Sequence, residues 1–289
     1  MSYQHSYAHS ISDPAAFWAE QAAHLAWHRK PALTLQENAD GTHRWFADGR
    51  LNSCYLALDH QIEQGRGEQL ALIYDSPVTG VQQTYTYNQL RDEVARLAGL
   101  LRQLGVNKGD GVIIYMPMVP QAAMAMLACA RIGAVHSVVF GGFAANELAL
   151  RIDDARPTLL LTASCGLEFD RVIAYKPLVD RALQLARHQP RNVLVLQRPQ
   201  AHAEMLPGRD LDWQAPWPAP SRWRPSSWMP ATRCTSCTHR APPGNPRVSS
   251  GKTAAMPWRC VTPCAISMAC RPAMCGGAFP TSVGWSAIH

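Results

Sequence analysis

The last 75 residues of the chain, 215–289, contain no aspartate or glutamate, and this break in composition constrains the fold more than any other feature of the sequence. The same stretch holds eight basic residues, six of the nine cysteines and 12 of the 22 prolines, and it lacks leucine, tyrosine and glutamine. Without leucine, and with few apolar runs of strand length, this segment is expected to lack a stable core and to be disordered. The two parts of the chain are therefore interpreted separately.

The first 214 residues have the balanced composition of a globular protein. They carry 19 basic and 21 acidic residues, and the chain as a whole is 47% hydrophobic and 17% charged, so a core can be buried. The longest apolar stretch, 116–130, is interrupted by Pro117, Pro120 and Gln121 and does not reach the length of a membrane span. The polar N-terminus carries no signal peptide, which predicts a cytoplasmic protein without a membrane partner.

Short apolar strands alternate with amphipathic helices between residues 70 and 197. Thr86 and Gln89 form the pattern of a capping box at the start of one helix, while Pro120 and Gly133 mark the ends of the next. The strands are predicted at 70–74, 84–86, 111–115, 134–140, 158–163 and 192–197, and the later helices at 144–155 and 177–188. Strands joined by helices of this length predict an α/β fold with a mostly parallel sheet and crossover helices.

Ligands of parallel sheets bind beyond the carboxyl ends of the strands, which directs attention to the loops 116–119, 141–144 and 164–171. Gly141 and Gly142 would allow a backbone to approach a ligand closely, although an ordinary strand-to-helix turn has the same sequence. The guanidinium of Arg171 could hold a phosphate, or it could be a solvated surface charge.

Other polar residues favour structural roles. His136 lies inside an apolar strand and is interpreted as a satisfied interior residue, and Asp153-Asp154 as a solvated helix end. No G-x-G-x-x-G fingerprint occurs, which weakens the alternative of a nicotinamide-dependent oxidoreductase. The cysteines of the first part lack the spacing of a metal site and are expected to be reduced and packed: Cys54, Cys129 and Cys165.

Taken together as an ordered series, the motifs resemble those of the AMP-forming acyl-CoA synthetases, in the short-chain branch that contains propionyl-CoA and acetyl-CoA synthetase. The resemblance covers residues 4–213 and divides the chain into a leader at 1–60, the first part of an AMP-binding α/β domain at 61–213, and the acid-free tail at 214–289. The motifs that carry it are Phe17-Trp18, Arg44-Trp-Phe46, Leu51-Asn52, Thr84–Tyr87, Gly109-Asp110, Tyr115–Met118 and Ala130–Phe143.

The resemblance implies a ligase that makes an acyl adenylate from a short-chain carboxylate and Mg-ATP, and then transfers the acyl group to coenzyme A. Cys165–Glu168 and Tyr175–Leu178 are more similar to the propionate enzyme than to the acetate enzyme. Arg171 matches the family position that binds the phosphate-bearing end of coenzyme A. The resemblance also places Glu168 at a nearby coenzyme A-binding position, where the acetate enzymes have arginine. The partners expected are small molecules and not nucleic acid.

The ATP-binding loop of this family is missing from the printed sequence but can be read one base away. When the third base of each codon is joined to the first two bases of the next, the tail from residue 231 can encode DPLYILYTSGTTGKPKG, the phosphate loop of the family. In three of the shifted codons that follow, the printed residues determine every base, and each codon encodes the amino acid expected of the family. These codons span Met256-Pro257, Met268-Ala269 and Met274-Cys275. A frame change near residue 214 is therefore expected. The intact enzyme would use ATP, Mg²⁺ and coenzyme A, whereas the printed chain is expected to be an inactive fragment to which none of them binds productively.

An alternative interpretation is that the tail, as printed, is a functional segment that binds a metal ion or nucleic acid. Cys234, Cys237 and His239 have the spacing of half a zinc site, and the basic residues with interleaved tryptophans could form a nucleic-acid-binding arm. Gly251-Lys252-Thr253 imitates the end of a Walker loop but lacks the earlier glycine. Out-of-frame translation of a GC-rich gene explains all three features without any function.

Overall fold

The computed structural model describes residues 2–142 and 144–215, and the tail and its sequence motifs lie outside the described residues. The helices of this part are α1 (Tyr3–Ser12), α2 (Pro14–Ala23), α3 (Tyr87–Gln103), α4 (Pro120–Ile132), α5 (Ala145–Ala155) and α6 (Tyr175–Leu185). The strands are β1 (Leu35–Glu37), β2 (His43–Trp45), β3 (Leu70–Ser76), β4 (Val81–Thr86), β5 (Gly111–Tyr115), β6 (Val135–Val138), β7 (Leu159–Ala163), β8 (Cys165–Glu168), β9 (Arg171–Ala174), β10 (Asn192–Leu196) and β11 (Asp210–Asp212).

The centre of the fold is a parallel sheet with the strand order β6-β5-β7-β10-β11. The chain enters at β5, moves outward to β6, and then crosses back to β7 on the other side of β5. The predicted α/β class with a mostly parallel sheet is confirmed. Three antiparallel hairpins surround it, formed by β1 with β2, β3 with β4, and β8 with β9.

Helices cover both faces of the sheet because its strands alternate their buried side chains between two cores. Ile114 and Leu161 face a core that includes Leu97 of α3 and Met124 of α4. The neighbouring strand residues face a second core with α5 and α6, and they include Ile113, Leu160, Leu148 and Val179. Continuous apolar strands are expected where both faces of a parallel sheet are covered.

The local signals at the helix ends produce the predicted caps. The Thr86 hydroxyl accepts a hydrogen bond from the Gln89 N–H, and the Gln89 side chain accepts one from the Thr86 N–H. Gly105 and Gly133 follow α3 and α4 with positive φ angles of 84° and 76°, a conformation that glycine adopts with least strain.

The leader is joined to the sheet domain by buried polar contacts, which we call the leader joint (Asn52, Asp59 and Arg131). The Asn52 side-chain amide donates to the carbonyls of Ala130 and Arg131 at 3.1 Å each. The Arg131 side chain is 2% exposed, and its guanidinium forms a bidentate ion pair with the Asp59 carboxylate at 2.6 and 2.8 Å. Burial alone would lower the pKa of Arg131, but hydrogen bonding to Asp59 outweighs burial and holds this pKa above its ordinary value.

Two π-helical segments, Tyr55–Asp59 and Ile62–Arg66, connect the leader to β3. They carry Asp59 into the leader joint, and the expected boundary at residue 60 falls between them. Sequence reasoning missed them because their apolar residues fit an ordinary helix equally well.

The structure corrects several predicted details. Strand β6 ends at Val138 and not at 140, and α6 spans Tyr175–Leu185 and not 177–188. The loop expected at 164–171 contains β8 and the start of β9. Asp153 is not part of a solvated helix end, since its carboxylate accepts hydrogen bonds from the backbone N–H groups of Arg187 and His188. Asp154 is exposed, as predicted.

Among the described residues, none of the helices combines the length and apolarity needed to cross a membrane.

Candidate functional site

The candidate site lies at the carboxyl edge of the sheet, next to the point where the strand order reverses between β5 and β7. Crevices at such reversal points are the usual ligand sites of open parallel sheets. The three predicted loops follow β5, β6 and β7 and therefore leave from this edge. Phe143, the last residue of the most specific motif, lies outside the described residues.

Two tyrosines hold the glycine loop after β6 in place. The Tyr115 hydroxyl donates a hydrogen bond to the Gly141 carbonyl at 3.1 Å, and the rings of Tyr115 and Tyr175 lie 5.0 Å apart. Burial, followed by the proximity of Tyr175, raises the pKa of Tyr115 to about 12, so its hydroxyl remains a donor at neutral pH. The loop therefore has a fixed position above the sheet.

Glycine is required on both sides of Tyr175. A Cβ atom at Gly141 would lie 2.1 Å from the Tyr175 Oη, and one at Gly166 would lie 2.5 Å from the Tyr175 Cε1. A Cβ atom at Gly142 would lie 2.6 Å from the ring of Phe140. Gly141 and Gly166 thus have packing roles that require no ligand, which favours the structural interpretation of the turn at Gly141. The Phe140 ring is 57% exposed and can move away from residue 142.

We expect Gly141→Ala to lower the free energy of unfolding by about 1–3 kcal/mol, the usual cost of overpacking a core. The Tyr175 ring cannot move away from residue 141 without meeting Gly166 on its other side. Urea denaturation of the single variant and of Gly141→Ala in a Tyr175→Ala background measures the effect. An equal cost in both backgrounds would contradict the packing role.

The hairpin of β8 and β9 carries both residues predicted to contact coenzyme A. Glu168 and Arg171 pair across the hairpin, and Phe169 and Asp170 form the turn between them. Both charged residues are exposed, and neither forms a salt bridge within the described part of the chain. The structure therefore brings the two predicted residues together on one solvent-facing tip.

The base of this hairpin is anchored to the sheet. The Arg198 guanidinium, on a residue that is 8% exposed, donates to the Cys165 carbonyl at 3.0 Å, and the Arg198 N–H donates to the Ser164 hydroxyl at 2.9 Å. The Tyr175 N–H donates to the Ser164 carbonyl. Sequence reasoning missed Arg198, since no motif marks an arginine that acts only through contacts distant in sequence.

A cavity of about 530 Å³ opens beside the start of α6, next to an ion-pair cluster that we call the α6–β11 clasp (Lys176, Asp180, Arg209 and Asp210). The Lys176 Nζ lies 2.8 Å from the Asp180 carboxylate and 2.7 Å from that of Asp210. The Arg209 Nε lies 2.6 Å from the Asp210 carboxylate. Because these charges satisfy one another, the clasp holds β11 against α6 and offers no unpaired group to a ligand.

The clasp predicts an acid-sensitive fold. Burial raises the pKa of Asp210, but hydrogen bonds from Arg209 and Lys176 outweigh burial and lower it below 3.8. A carboxylate with a lowered pKa stabilises the folded state above about pH 4 and loses that contribution as the pH falls through its folded pKa. We expect the free energy of unfolding to decrease below about pH 4, and Asp210→Asn to flatten this decrease. The exposed Asp154→Asn is the control; if it flattens the curve equally, the clasp is not the cause.

The described residues contain no group of three or more His, Cys, Asp or Glu side chains placed to hold a metal ion. Cys54, Cys129 and Cys165 are free and buried, as predicted. Burial raises the pKa of Cys54 to about 11 and that of Cys129 to about 12, so these thiols are protonated at neutral pH. His136 is half-buried, and burial lowers its pKa, which favours the neutral ring expected of an interior residue.

Comparison with known proteins identifies two families along the chain. Residues 3–57 match the family described as the acetyl-coenzyme A synthetase N-terminus, and residues 58–246 match the family described as AMP-binding enzyme. The two matches meet at residues 57 and 58, close to the expected boundary at residue 60.

Two curated relatives illustrate the range of similarity. An uncharacterized protein of Pseudomonas aeruginosa, PA3568, is 76% identical over 214 residues, which cover 74% of this chain and 34% of the relative. Propionate–CoA ligase of Escherichia coli is 46% identical over 213 residues, which also cover 74% of this chain and 34% of the relative. The chain thus spans about a third of the length of these relatives.

The fold is shared with a solved structure. Acetoacetyl-CoA synthetase from Streptomyces lividans superposes with a TM-score of 0.68 at 25% identity, covering 80% of this chain and 35% of that protein. The parallel sheet and its helices therefore correspond to the N-terminal part of such a synthetase.

Proposed function

Because this chain belongs to the AMP-binding enzyme family, in its branch of short-chain acyl-CoA ligases, we propose that it represents the N-terminal third of a propionate–CoA ligase. The complete enzyme would join propionate to ATP, release pyrophosphate, and then pass the propionyl group from the adenylate to the thiol of coenzyme A. The single observation that carries the proposal is the identity of 46% to the E. coli propionate–CoA ligase across the described part of the chain. Acetate is the alternative substrate within the same family.

The proposed role of the described residues is to bind coenzyme A at the tip of the β8–β9 hairpin. Arg171 would contact a phosphate of the coenzyme, since its guanidinium is exposed and forms no salt bridge within the described part of the chain. Glu168 stands directly opposite on β8 and would weaken phosphate binding at that position. The anchoring of the hairpin base by Arg198 supports the proposal, because it reduces the loop entropy that binding at the tip would cost.

We assign none of the described residues to the binding of Mg-ATP. We place them in the sequence YTSGTTGKPKG, which the tail can encode one base away. The length of the match to PA3568, 214 residues, supports a frame change there, since it equals the length of the acid-bearing part of the chain. The AMP-binding match extends past this position, to residue 246, and does not by itself support the frame change.

Three domains follow from this proposal: the leader at 1–60, the first part of the AMP-binding domain at 61–213, and a tail at 214–289 that is translated out of frame. The proposed substrates are small molecules of the cytoplasm, and a cytoplasmic location is part of the proposal. The zinc-binding and nucleic-acid-binding alternatives depend on residues outside the described part of the chain.

Substrate preference is tested on the gene with its reading frame moved by one base near codon 214. The purified product is assayed for coenzyme A-dependent AMP release with propionate and with acetate, each over a range of concentrations. We expect a higher kcat/KM for propionate, by about 10-fold, because one extra methylene in an apolar pocket contributes about 1–3 kcal/mol. An equal or higher kcat/KM for acetate would reject the propionate assignment and retain the family.

A further inference from the structure

Phe169, at the tip of the β8–β9 hairpin, has two unfavourable features at once. Its side chain is 85% exposed, so it gains nothing from burial in the described structure. Its φ angle is +53°, in the left-handed region where glycine is favoured and aromatic residues are rare. A strained residue that packs against nothing is a reason to look for a ligand contact.

Phe46 shows what the ordinary compensation looks like. Its φ angle is +49°, close to that of Phe169, but its ring lies 5.6 Å from that of Trp27. Its N–H also donates to the Thr34 carbonyl at 2.8 Å. Phe169 has no such ring contact within the described residues, so the strain at the hairpin tip is not offset by packing there.

The neighbours of Phe169 indicate the chemistry of the ligand. Arg171 offers a cation to a phosphate, whereas the tip provides no second cation, because Glu168 lies on the opposite strand and Asp170 in the turn. The exposed ring of Phe169 is the uncharged group at this tip that could add to the affinity. An aromatic ring beside a single guanidinium suits a nucleotide, which presents a flat base and a phosphate together.

Building on the proposed binding of coenzyme A at this hairpin, we propose that the Phe169 ring stacks on the adenine base of the coenzyme while Arg171 binds a neighbouring phosphate. The hairpin base is fixed by Arg198 and by the Tyr175 ring against Gly166, which positions the backbone that carries Phe169.

The test compares Phe169→Gly with the unchanged 289-residue chain, each fused to a solubility partner. The probes are adenosine 3′,5′-bisphosphate and inorganic phosphate, and binding is measured by equilibrium dialysis. We expect Phe169→Gly to weaken adenosine 3′,5′-bisphosphate binding by about 5- to 100-fold and to leave phosphate binding unchanged. We expect Phe169→Trp to retain the binding of the nucleotide.

A thermal melt separates stacking from a structural role. Glycine relieves the positive φ angle, so Phe169→Gly is expected to leave the Tm unchanged or raise it while nucleotide binding falls. A decrease in Tm together with the decrease in binding would overturn the proposal, because it would show that the ring supports the fold.

Arg171→Gln distinguishes failure of the stacking contact from failure of the coenzyme site. If Arg171→Gln abolishes nucleotide binding and Phe169→Gly does not weaken it, the stacking proposal is wrong and the coenzyme site remains. If the unchanged chain binds neither probe, or if neither variant weakens nucleotide binding, both the stacking contact and the proposed coenzyme site are rejected.

Discussion

The 289-residue chain is expected to catalyse no propionate-dependent exchange of pyrophosphate into ATP, and moving its reading frame by one base near codon 214 is expected to create this activity. Displacement of pyrophosphate depends mainly on positioning and on stabilising the phosphate charges. The glycine-rich loop that we propose for this task is absent from the printed sequence. Since enzymes accelerate their reactions by at least about 10⁶-fold, the difference should exceed any background.

The exchange of labelled pyrophosphate into ATP measures this activity with and without propionate. The matched control carries the same one-base change together with alanine in place of the second lysine of the restored GKPKG sequence, and it should lose most of the gained exchange. Exchange by the unaltered chain would contradict the proposed location of the ATP-binding loop. Sequencing of the gene tests the frame change itself, which would be contradicted if the bases did not encode the loop in a shifted reading frame.

Asp59→Ala is expected to lower the free energy of unfolding by about 3–5 kcal/mol, because it leaves the buried guanidinium of Arg131 without its carboxylate. The Arg131 side chain is 2% exposed and that of Asp59 is 17% exposed, so solvent can replace little of the lost contact. A domain is stable by only about 5–15 kcal/mol, so the variant should lose a large fraction of its free energy of unfolding.

Denaturant titration followed by circular dichroism measures the effect, and Glu93→Ala is the matched control. Glu93 and Arg96 also form an ion pair at 2.6 Å, but both side chains are exposed, and such pairs contribute about 0–1 kcal/mol. Replacing the buried pair as a whole, with Asp59→Leu and Arg131→Met, should recover much of the loss. A cost for Asp59→Ala no larger than that for Glu93→Ala would show that the leader joint does not hold the fold together.

The elements that the sequence predicted well are those determined by neighbouring residues. The capping box at Thr86 and the left-handed Gly133 depend on contacts within one turn of a helix, and both appear as expected. The β8–β9 hairpin was missed because its strands have four residues each and its turn lacks the usual glycine or asparagine. Strand β11, with three residues, is equally short.

The loops of the candidate site could be predicted from the sequence, but the contacts that hold them together could not. The rule that ligands bind beyond the carboxyl ends of parallel strands pointed to three loops, and in the structure all three leave from the same edge of the sheet. The contacts of Tyr175 with Gly141, and of Arg198 with Cys165, join residues about 30 positions apart. Such contacts depend on how the elements pack together, and no local pattern predicts them.

Strand β6 lies at one end of the central sheet, and within the described residues no other strand pairs with its outer side. Its outward-facing N–H and carbonyl groups can hydrogen-bond to a strand of another molecule as readily as to one of the same chain. Loss of soluble chain would then be bimolecular, with a rate that rises with the square of the concentration. Dilution during refolding should therefore preserve single molecules, whereas slow concentration should convert them into mixed oligomers.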